Sequence, residues 1–346
     1  MKRAASALRS HRAASNPSVA AAEALLRPPR PPRGQHLLAN VRVLDDIVRH
    51  AGIRPGDAVV EVGPGTGNLT VRLLASPAAT VAAVEIDPRM SRAVTARSAA
   101  LGLAHKLTVI TGDAMRVEFP KFDACVANIP YGISSPLVAK LLFGPHQFRT
   151  ATLVVQREFA RRLAAAPGDR EFNRLAENAR LVADVRLLAD VSREDFVPVP
   201  GVDSALVEIV PKEVRPSEVA PGVPTDEWLA FVCLCFQQHN RRDKRKQEKT
   251  IGTVFKPDEM VVELLRRSSR AEQRDGNNGG SVVTVHVDND DEASSRFSKE
   301  EVVAFKESIV GAVQSAGLAH KRLSTVSNNE LLRLLRMFIE RGVRFQ

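Results

Sequence analysis

The stretch "VVEVGPGTGNLT", residues 59–70, decides the fold class of this chain. A short apolar run is followed by Gly63, Gly65 and Gly67, and a helical pattern begins directly after them. Glycines between a strand and a helix let the backbone turn tightly and let a ligand approach it closely. Such a turn fits dinucleotide binders, methyltransferases and plain tight turns. Its G-x-G-x-G spacing differs from the G-x-G-x-x-G of the dinucleotide fingerprint.

The same alternation of short apolar runs and helical patterns continues from residue 34 to residue 212. The predicted strands lie in DAVVEVG (57–63), TVAAVEID (80–87), LTVITGDA (107–114), FDACVANI (122–129), TATLVVQ (150–156) and ALVEIVPK (205–212). Helical patterns such as NLTVRLLA, PRMSRAVTARSAALG and SPLVAKLLF separate them. This order predicts an α/β, Rossmann-like parallel sheet with helices on both faces. Ligands should bind at the carboxyl ends of the strands, with the switch point between the first and the fourth.

A second, helical domain is predicted after residue 212. A proline-rich linker (213–225) precedes helical patterns in DEWLAFVCLCFQQHN, PDEMVVELLRRS, SKEEVVAFKESIVGAVQSAG and SNNELLRLLRMFIERG. Ser327 and Glu330 form a predicted capping box in the last of these, and Gly342 ends it. The polar segment 268–296 is expected to be a disordered insertion, although SVVTVHV within it could pair as a strand.

The charge of the chain favours an anionic partner. Of 346 residues, 49 are Lys or Arg and 40 are Asp or Glu, which gives a net charge of +9. Such a balance is typical of proteins that bind nucleic acid or a membrane surface. No apolar run is long enough to cross a membrane. The three cysteines lack metal-site spacing, so we expect no metal and a reducing compartment.

The first 33 residues are rich in arginine and contain a single acid, Glu23. One interpretation is a disordered basic arm that contacts nucleic acid or aids nuclear entry. The other is a mitochondrial transit segment, since such segments are rich in Arg and Ser and poor in acids.

Two acids stand at the ends of predicted strands. Glu85 can accept hydrogen bonds from both hydroxyls of a ribose, or it can be a solvent-exposed carboxylate. Asp113 can accept from an adenine amino group while the N–H of Ala114 donates to the ring, or it can be a turn aspartate. Asp87 is predicted to be a helix N-cap. NAD enzymes and methyltransferases both use an acid like Glu85, so only the glycine spacing favours S-adenosylmethionine.

The sequence NIPY (128–131) follows the fourth strand and contains the only tyrosine of the chain. The exocyclic amine of adenine is a poor nucleophile because its lone pair is delocalised into the ring. Two acceptors, the Asn128 side-chain oxygen and the Ile129 carbonyl, would help this nitrogen to pyramidalise. Pro130 would fix that carbonyl, and Tyr131 would stack on the target base. The alternative is a proline turn with a packed tyrosine.

In this order, the four motifs resemble those of the rRNA adenine dimethyltransferase family, most of all its eukaryotic pre-rRNA members. Further segments share the resemblance: GQHLLAN (34–40), QREFARRLAAAPGD (156–169), the F-x-P-x-P-x-V-x-S signature within DFVPVPGVDSALVEI (195–209), KTIGTVFK (249–256) and LLRLLRMFIERGVRF (331–345). Asn40-Val41 departs from the usual Asn-Pro.

The resemblance implies S-adenosylmethionine-dependent dimethylation of the N6 amine of two adjacent adenosines near the 3′ end of small-subunit rRNA, within a pre-ribosomal particle. It places cofactor contacts at His36, Leu38, Gly63, Gly65, Glu85, Asp113, Ala114 and Asn128. It places the target base at Asn128, Pro130, Tyr131 and Phe196, with Phe196 as a second stacking wall.

Partner and compartment follow from the same resemblance. We expect a monomer, without membrane contact, in the nucleolus or nucleus, with the mitochondrion as the alternative. The basic segment HNRRDKRKQEK (239–249) is either an RNA contact or a solvated charge run. The competing functions are a non-catalytic assembly or mitochondrial transcription factor on the same fold, and an NAD-dependent oxidoreductase.

Overall fold

The computed structural model describes residues 36–212, 218–240, 250–275 and 297–346. The expected basic arm, the basic segment from residue 241 onward and the possible strand SVVTVHV lie outside these ranges.

Seven strands form the main sheet of the described chain, in the order β4-β3-β2-β5-β6-β9-β7. The strands in chain order are β1 (Leu37–Leu38), β2 (Ala58–Val62), β3 (Thr80–Glu85), β4 (Leu107–Thr111), β5 (Ala124–Asn128), β6 (Thr150–Gln156), β7 (Ala183–Val191), β8 (Phe196–Val197), β9 (Ser204–Pro211), β10 (Glu218–Ala220) and β11 (Val223–Pro224). All six strands predicted from the sequence are present. The switch point is confirmed, because β2 lies between β3 and β5.

The prediction of a parallel sheet was wrong for one strand, β9. The five neighbouring strands β4-β3-β2-β5-β6 are parallel to one another. Strand β9 is antiparallel to both of its neighbours, β6 and β7. Strand β7 was not among the predicted strands, although Ala183, Val185, Leu187, Ala189 and Val191 are apolar at alternate positions. It is an edge strand and is largely exposed.

Helices cover both faces of the sheet, as predicted. Those of the first part of the chain are α1 (Val41–His50), α2 (Thr70–Ala75), α3 (Pro88–Ala100), α4 (Ser134–Phe143), α5 (Arg157–Ala164) and α6 (Arg174–Val182). Neighbouring residues of β2 point to opposite faces: Val59 packs in one buried cluster with Leu44 of α1, and Val60 in another with Leu137 of α4. Asp87 caps α3 by accepting from the Arg89 N–H, as predicted.

The later part of the chain packs around its own apolar cluster. Its helices are α7 (Thr225–Asn240), α8 (Ile251–Val254), α9 (Asp258–Asp275), α10 (Lys299–Ser315) and α11 (Asn328–Glu340). Phe231, Phe255, Phe338 and Phe345 meet at the centre of this cluster with ring centroids 5.0–6.3 Å apart. The predicted capping box of Ser327 is present. In the described residues, no helix has both the length and the apolar character needed to cross a bilayer.

Two segments of this part differ from the prediction. The predicted linker contains the β10–β11 hairpin, whose Val219 and Val223 are buried in the apolar cluster. The expected disorder of 268–296 is wrong for residues 268–275, because α9 continues to Asp275. Ser268 is buried there, and its hydroxyl donates to the Leu264 carbonyl and accepts from the Arg344 N–H. These bonds tie the helix to the C-terminal segment.

Candidate active site

A cleft lies at the carboxyl ends of β2, β3, β4 and β5, where the switch point was predicted. Its lining contains every residue that the sequence analysis assigned to cofactor or target base: His36, Leu38, Gly63, Gly65, Glu85, Asp113, Ala114, Asn128, Pro130, Tyr131 and Phe196. The structure therefore brings together residues that are up to 160 positions apart in the chain. Which ligand atom each of them contacts stays a prediction.

The glycine turn leaves room that a side chain would fill. Gly63, Gly65 and Gly67 have φ values of 71°, 57° and 84°, which L side chains rarely adopt. A Cβ on Gly65 would lie 2.7 Å from the side chain of Leu37. The positive φ of Gly65, and the shift of the Leu37 side chain that a Cβ would require, favour a glycine where this turn passes beneath the N-terminal strap, the segment 36–40.

Glu85 is buried and is held by main-chain donors. It is 3% exposed, and its two oxygens accept from the N–H of Gly65 and of Asp87, each at 3.0 Å. The alternative of a solvent-exposed carboxylate is therefore wrong. A carboxylate has about four acceptor positions, so both oxygens can still accept from a ligand.

Asp113 sits in a tight turn after β4. Its main-chain oxygen accepts from the N–H of Arg116 and Val117, and its Oδ1 accepts from the N–H of Met115 at 2.9 Å. The next residue, Ala114, is 6% exposed and lies against the cleft.

Asn128 ends β5 with its side chain at the cleft. Its Nδ2 donates to the main-chain oxygen of His36 at 3.4 Å, which leaves Oδ1 to accept from a ligand. The N–H of Ile129 donates to Val154, and Pro130 has no N–H. The aromatic ring of Tyr131 stacks beside that of His36, with centroids 6.2 Å apart. Phe196 lies at the inner wall and is 1% exposed.

The N-terminal strap is fastened over the cleft by pairing with a distant segment. In β1 and β8, Leu37 pairs with Val197 and Leu38 with Phe196. The Leu38 carbonyl also accepts from Asn68 Nδ2 at 2.9 Å. His36 Nδ1 lies 2.8 Å from the Pro198 carbonyl oxygen and donates to it. The structure thus joins two segments that the resemblance had singled out separately.

The sequence analysis missed Glu61, which also lines the cleft. Glu61 is 1% exposed, and among the described residues its Oε2 has no hydrogen-bond partner. Burial raises the pKa of Glu61 to about 8; the neighbouring Thr70 hydroxyl opposes this shift, and the Glu85 carboxylate adds to it. An acid inside a buried strand, two residues before the first glycine, was the signal that could have identified it.

The cysteines are not placed for metal binding. Cys125 and Cys235 are buried, and Cys233 is partly buried with its sulfur 3.0 Å from an Arg174 nitrogen. Burial raises the pKa of the Cys125 thiol to about 12. Across the described ranges, no three His, Cys, Asp or Glu side chains form a group that could hold a metal ion.

Known proteins match most of the length of this chain. The family model "Ribosomal RNA adenine dimethylase" matches residues 29–256. A mitochondrial ribosomal RNA small subunit methyltransferase of Arabidopsis thaliana is 46% identical over 318 residues, 90% of this chain and 80% of that protein. A second Arabidopsis thaliana ribosomal RNA small subunit methyltransferase is 38% identical, covering 90% of this chain and 91% of that protein.

A solved structure shares the fold over the same extent. The crystal structure of a dimethyladenosine transferase from Plasmodium falciparum matches with a TM-score of 0.74 and 33% identity, covering 90% of this chain and all of that one. The family model spans more than half of the chain, and the relatives match nearly all of it. The chain therefore belongs to the ribosomal RNA adenine dimethylase family.

Proposed function

We propose that this chain is an S-adenosylmethionine-dependent enzyme that dimethylates the N6 amine of adenosines in small-subunit rRNA. The observation that carries the proposal is the meeting of the glycine turn, Glu85, Asp113 and the NIPY segment in one cleft. Membership of the dimethylase family supports the reaction, and the names of the Arabidopsis relatives support the small subunit as the source of the substrate.

The cleft fits the cofactor of this family. S-adenosylmethionine supplies a methyl group on a positively charged sulfur, and it also carries an ammonium group. Within the part of the chain that the structure describes, the buried Oε2 of Glu61 has no hydrogen-bond partner. A buried acceptor without a partner is costly, so this oxygen suits such a cationic ligand. Glu85 would accept from the ribose hydroxyls, and Asp113 with Ala114 would bind the adenine. The glycine turn lets the ligand approach the backbone, and His36 and Leu38 cover it.

The residues at the end of β5 prepare the target amine. Asn128 Oδ1 and the Ile129 carbonyl accept from its two N–H groups, so that the nitrogen lone pair is freed for attack. With S-adenosylmethionine bound, the nitrogen would take the methyl group as the carbon–sulfur bond breaks and S-adenosylhomocysteine leaves. The methylated nitrogen would then lose a proton to solvent, so no base is needed before the transfer. Tyr131 and Phe196 hold the target ring from its two faces.

The position of the target adenosines in the rRNA is also part of this proposal. Dimethylation of two adjacent adenosines near the 3′ end of the rRNA, within a pre-ribosomal particle, rests on the resemblance of the motifs. A single cleft that serves both adenosines in turn is consistent with a monomer, which sedimentation of the purified chain would test.

The decisive experiment is a methyl-transfer assay. Purified protein, S-adenosylmethionine and immature small subunits should yield N6,N6-dimethyladenosine, counted by mass spectrometry of digested rRNA. Cofactor binding without any methylated adenosine would favour the non-catalytic assembly factor instead. The retention of every chemical motif in one cleft argues against that factor, as does the dimethylase family match.

We propose the mitochondrion as the compartment, which was the alternative to the nucleolus. The Arabidopsis relative named mitochondrial is more similar to this chain, at 46%, than the one without that word in its name, at 38%. The arginine-rich first 33 residues fit a transit segment. Residues 1–33 fused to a fluorescent protein should enter mitochondria, and nucleolar accumulation would overturn this assignment.

A further inference from the structure

A lysine outside the cleft holds the turn that carries Asp113 and Ala114. Lys140 lies on α4, the helix that follows the NIPY segment. Its ammonium donates to the main-chain oxygens of Ala114 at 2.7 Å and Val117 at 2.6 Å. It also lies 4.3 Å from the centre of the Phe119 ring. These three contacts hold the Lys140 ammonium against the turn. A lysine side chain that only extended into solvent would make none of them.

One of these contacts reaches the Asp113 carboxylate through a single peptide group. The Ala114 carbonyl shares its peptide with the N–H of Met115, and this N–H donates to Asp113 Oδ1 at 2.9 Å. A cation at the carbonyl oxygen polarises that peptide and strengthens the bond its N–H makes. Lys140 thereby stabilises one rotamer of Asp113.

The other oxygen of Asp113 is left for a ligand. Asp113 Oδ2 lies 3.6 Å from Nε of the exposed Arg116, which is beyond hydrogen-bond length. With Oδ1 held by Met115, Oδ2 can accept from a donor in the cleft but would repel an acceptor. Partial burial lowers the pKa of Lys140, and the carboxylates of Asp113 and Glu118 oppose that shift.

We propose that Lys140 is a positioning residue that orients Asp113 and so makes the cleft select a purine with an amino group at C6. Adenine has a donor at this position, whereas hypoxanthine has a carbonyl oxygen there. The inference rests on the proposed cofactor site. It adds that the selectivity depends on a lysine that does not touch the cofactor.

The chain offers a matched control. Lys106 also bridges two main-chain oxygens, those of Leu74 at 3.2 Å and Ser76 at 3.3 Å, but neither of these residues lines the cleft. Lys106→Met removes the same kind of bridge without touching the turn at Asp113.

The experiment measures calorimetric affinities for S-adenosylhomocysteine and for its deaminated analogue, S-inosylhomocysteine. The wild type should bind S-adenosylhomocysteine more tightly than S-inosylhomocysteine. Lys140→Met should reduce the ratio of the two affinities about tenfold, which is the effect of losing a charge-assisted hydrogen bond. Lys106→Met should keep the wild-type ratio. In a background of Asp113→Ala, Lys140→Met should narrow the ratio no further, because the carboxylate it orients is gone.

The ratio separates this inference from the proposed function. If the wild type binds neither ligand, the proposed cofactor site is wrong. If the wild type discriminates and Lys140→Met keeps its ratio, the role of Lys140 is wrong. A ratio of two affinities does not depend on the fraction of folded protein, so the measurement tests the role of Lys140 even in a destabilised variant. Lys140→Gln, which keeps donors but no charge, should narrow the ratio in the same direction.

Discussion

The hydroxyl of Tyr131 lies 3.0 Å from the hydroxyl of Ser204. Tyr131 belongs to the NIPY segment after β5, and Ser204 begins β9 as the last residue of the F-x-P-x-P-x-V-x-S signature. Ser204 is fully buried, so it offers a fixed partner. The bond joins the two segments proposed to hold the target base and sets the position of the Tyr131 ring.

The Tyr131 ring should matter more for activity than its hydroxyl. We expect Tyr131→Ala to lose most activity, because stacking on a base contributes about 1–3 kcal/mol. Tyr131→Phe should keep most activity but lose about 1 kcal/mol of unfolding free energy, because it leaves the buried Ser204 hydroxyl without this partner. The measurements are urea unfolding and a mass-spectrometric count of unmodified, monomethylated and dimethylated adenosine.

A double variant is the control. Tyr131→Phe combined with Ser204→Ala should recover part of the lost stability, because both polar partners are then removed together. Tyr131→Ala with the wild-type product distribution at the wild-type rate would show that Tyr131 only packs.

Asn128 should be the residue on which the chemistry depends most. Asn128→Ala removes an acceptor for the target amine, and we expect the transfer rate to fall about a hundredfold, as for other groups that act in the transition state. This loss should exceed that of Tyr131→Phe. Single-turnover assays measure the rate of methyl transfer, and calorimetry measures cofactor binding, so a loss of chemistry is distinguished from a loss of affinity. Asn328→Ala, which removes an asparagine outside the cleft, is the control; equal losses in both variants would contradict the proposed role.

Cofactor binding should release protons. With a pKa of about 8, Glu61 is mostly protonated at pH 7 before binding, and a cationic ligand favours its carboxylate. Affinity for S-adenosylmethionine should therefore rise with pH up to about 8 and level off above it. Calorimetry in buffers of different ionisation enthalpy measures the protons released.

Glu61→Gln should abolish this proton release and weaken binding. Glu177→Gln is its matched control, because Glu177 has a similarly raised pKa outside the cleft. Unchanged proton release in Glu61→Gln would mean that another group titrates on binding.

A comparison of alanine variants at Gly65 and Gly102 distinguishes the effect of backbone strain from that of crowding beside the cleft. Both have positive φ, but a Cβ on Gly102 meets no atom within 4 Å, whereas one on Gly65 meets Leu37 at 2.7 Å. We expect Gly102→Ala to cost about 1 kcal/mol of stability and to bind cofactor normally. Gly65→Ala should cost more stability and bind at least about tenfold more weakly. Equal cofactor affinity in the two variants would contradict the close approach at Gly65.

Glu177 should make the fold less stable as the pH rises. It is fully buried, and in the described part of the chain neither of its carboxylate oxygens has a hydrogen-bond partner. Burial raises its pKa to about 8, with Arg180 opposing. The folded chain thus keeps a proton that the unfolded chain loses above about pH 4.5, so the stability is lost between about pH 4.5 and 8.

The test compares urea unfolding at pH 5, 6.5 and 8. Glu177→Gln should match the wild type at pH 5 and exceed it by a few kcal/mol at pH 8. The exposed Glu171→Gln should follow the wild type at every pH. If the free energy of unfolding of Glu177→Gln falls with pH as steeply as that of the wild type, Glu177 is not the group responsible.

The strands and the cleft were predictable because their signals are local. Each predicted strand is a short apolar run closed by a turn, and parallel strands bring their carboxyl ends to one edge. Gly65, Glu85, Asp113 and Asn128 all stand at such ends, so their meeting followed from the order of the strands. Strand β7 was missed although apolar residues alternate along it from Ala183 to Val191. Helix α9 was predicted too short because the bond between Ser268 and the Arg344 N–H joins segments that are distant in the chain.

The sequence by itself determined the type of fold, the edge of the sheet that carries the site and the residue types gathered there. Only the tertiary structure decided that Tyr131 bonds to Ser204, that Lys140 donates to the turn of Asp113 and that Glu61 is buried in the cleft. The physical reason is that a local pattern encodes periodicity and turns. Hydrogen-bond partners and burial depend instead on segments that pack together from distant parts of the chain, and these set the pKa values and the rotamers of the site.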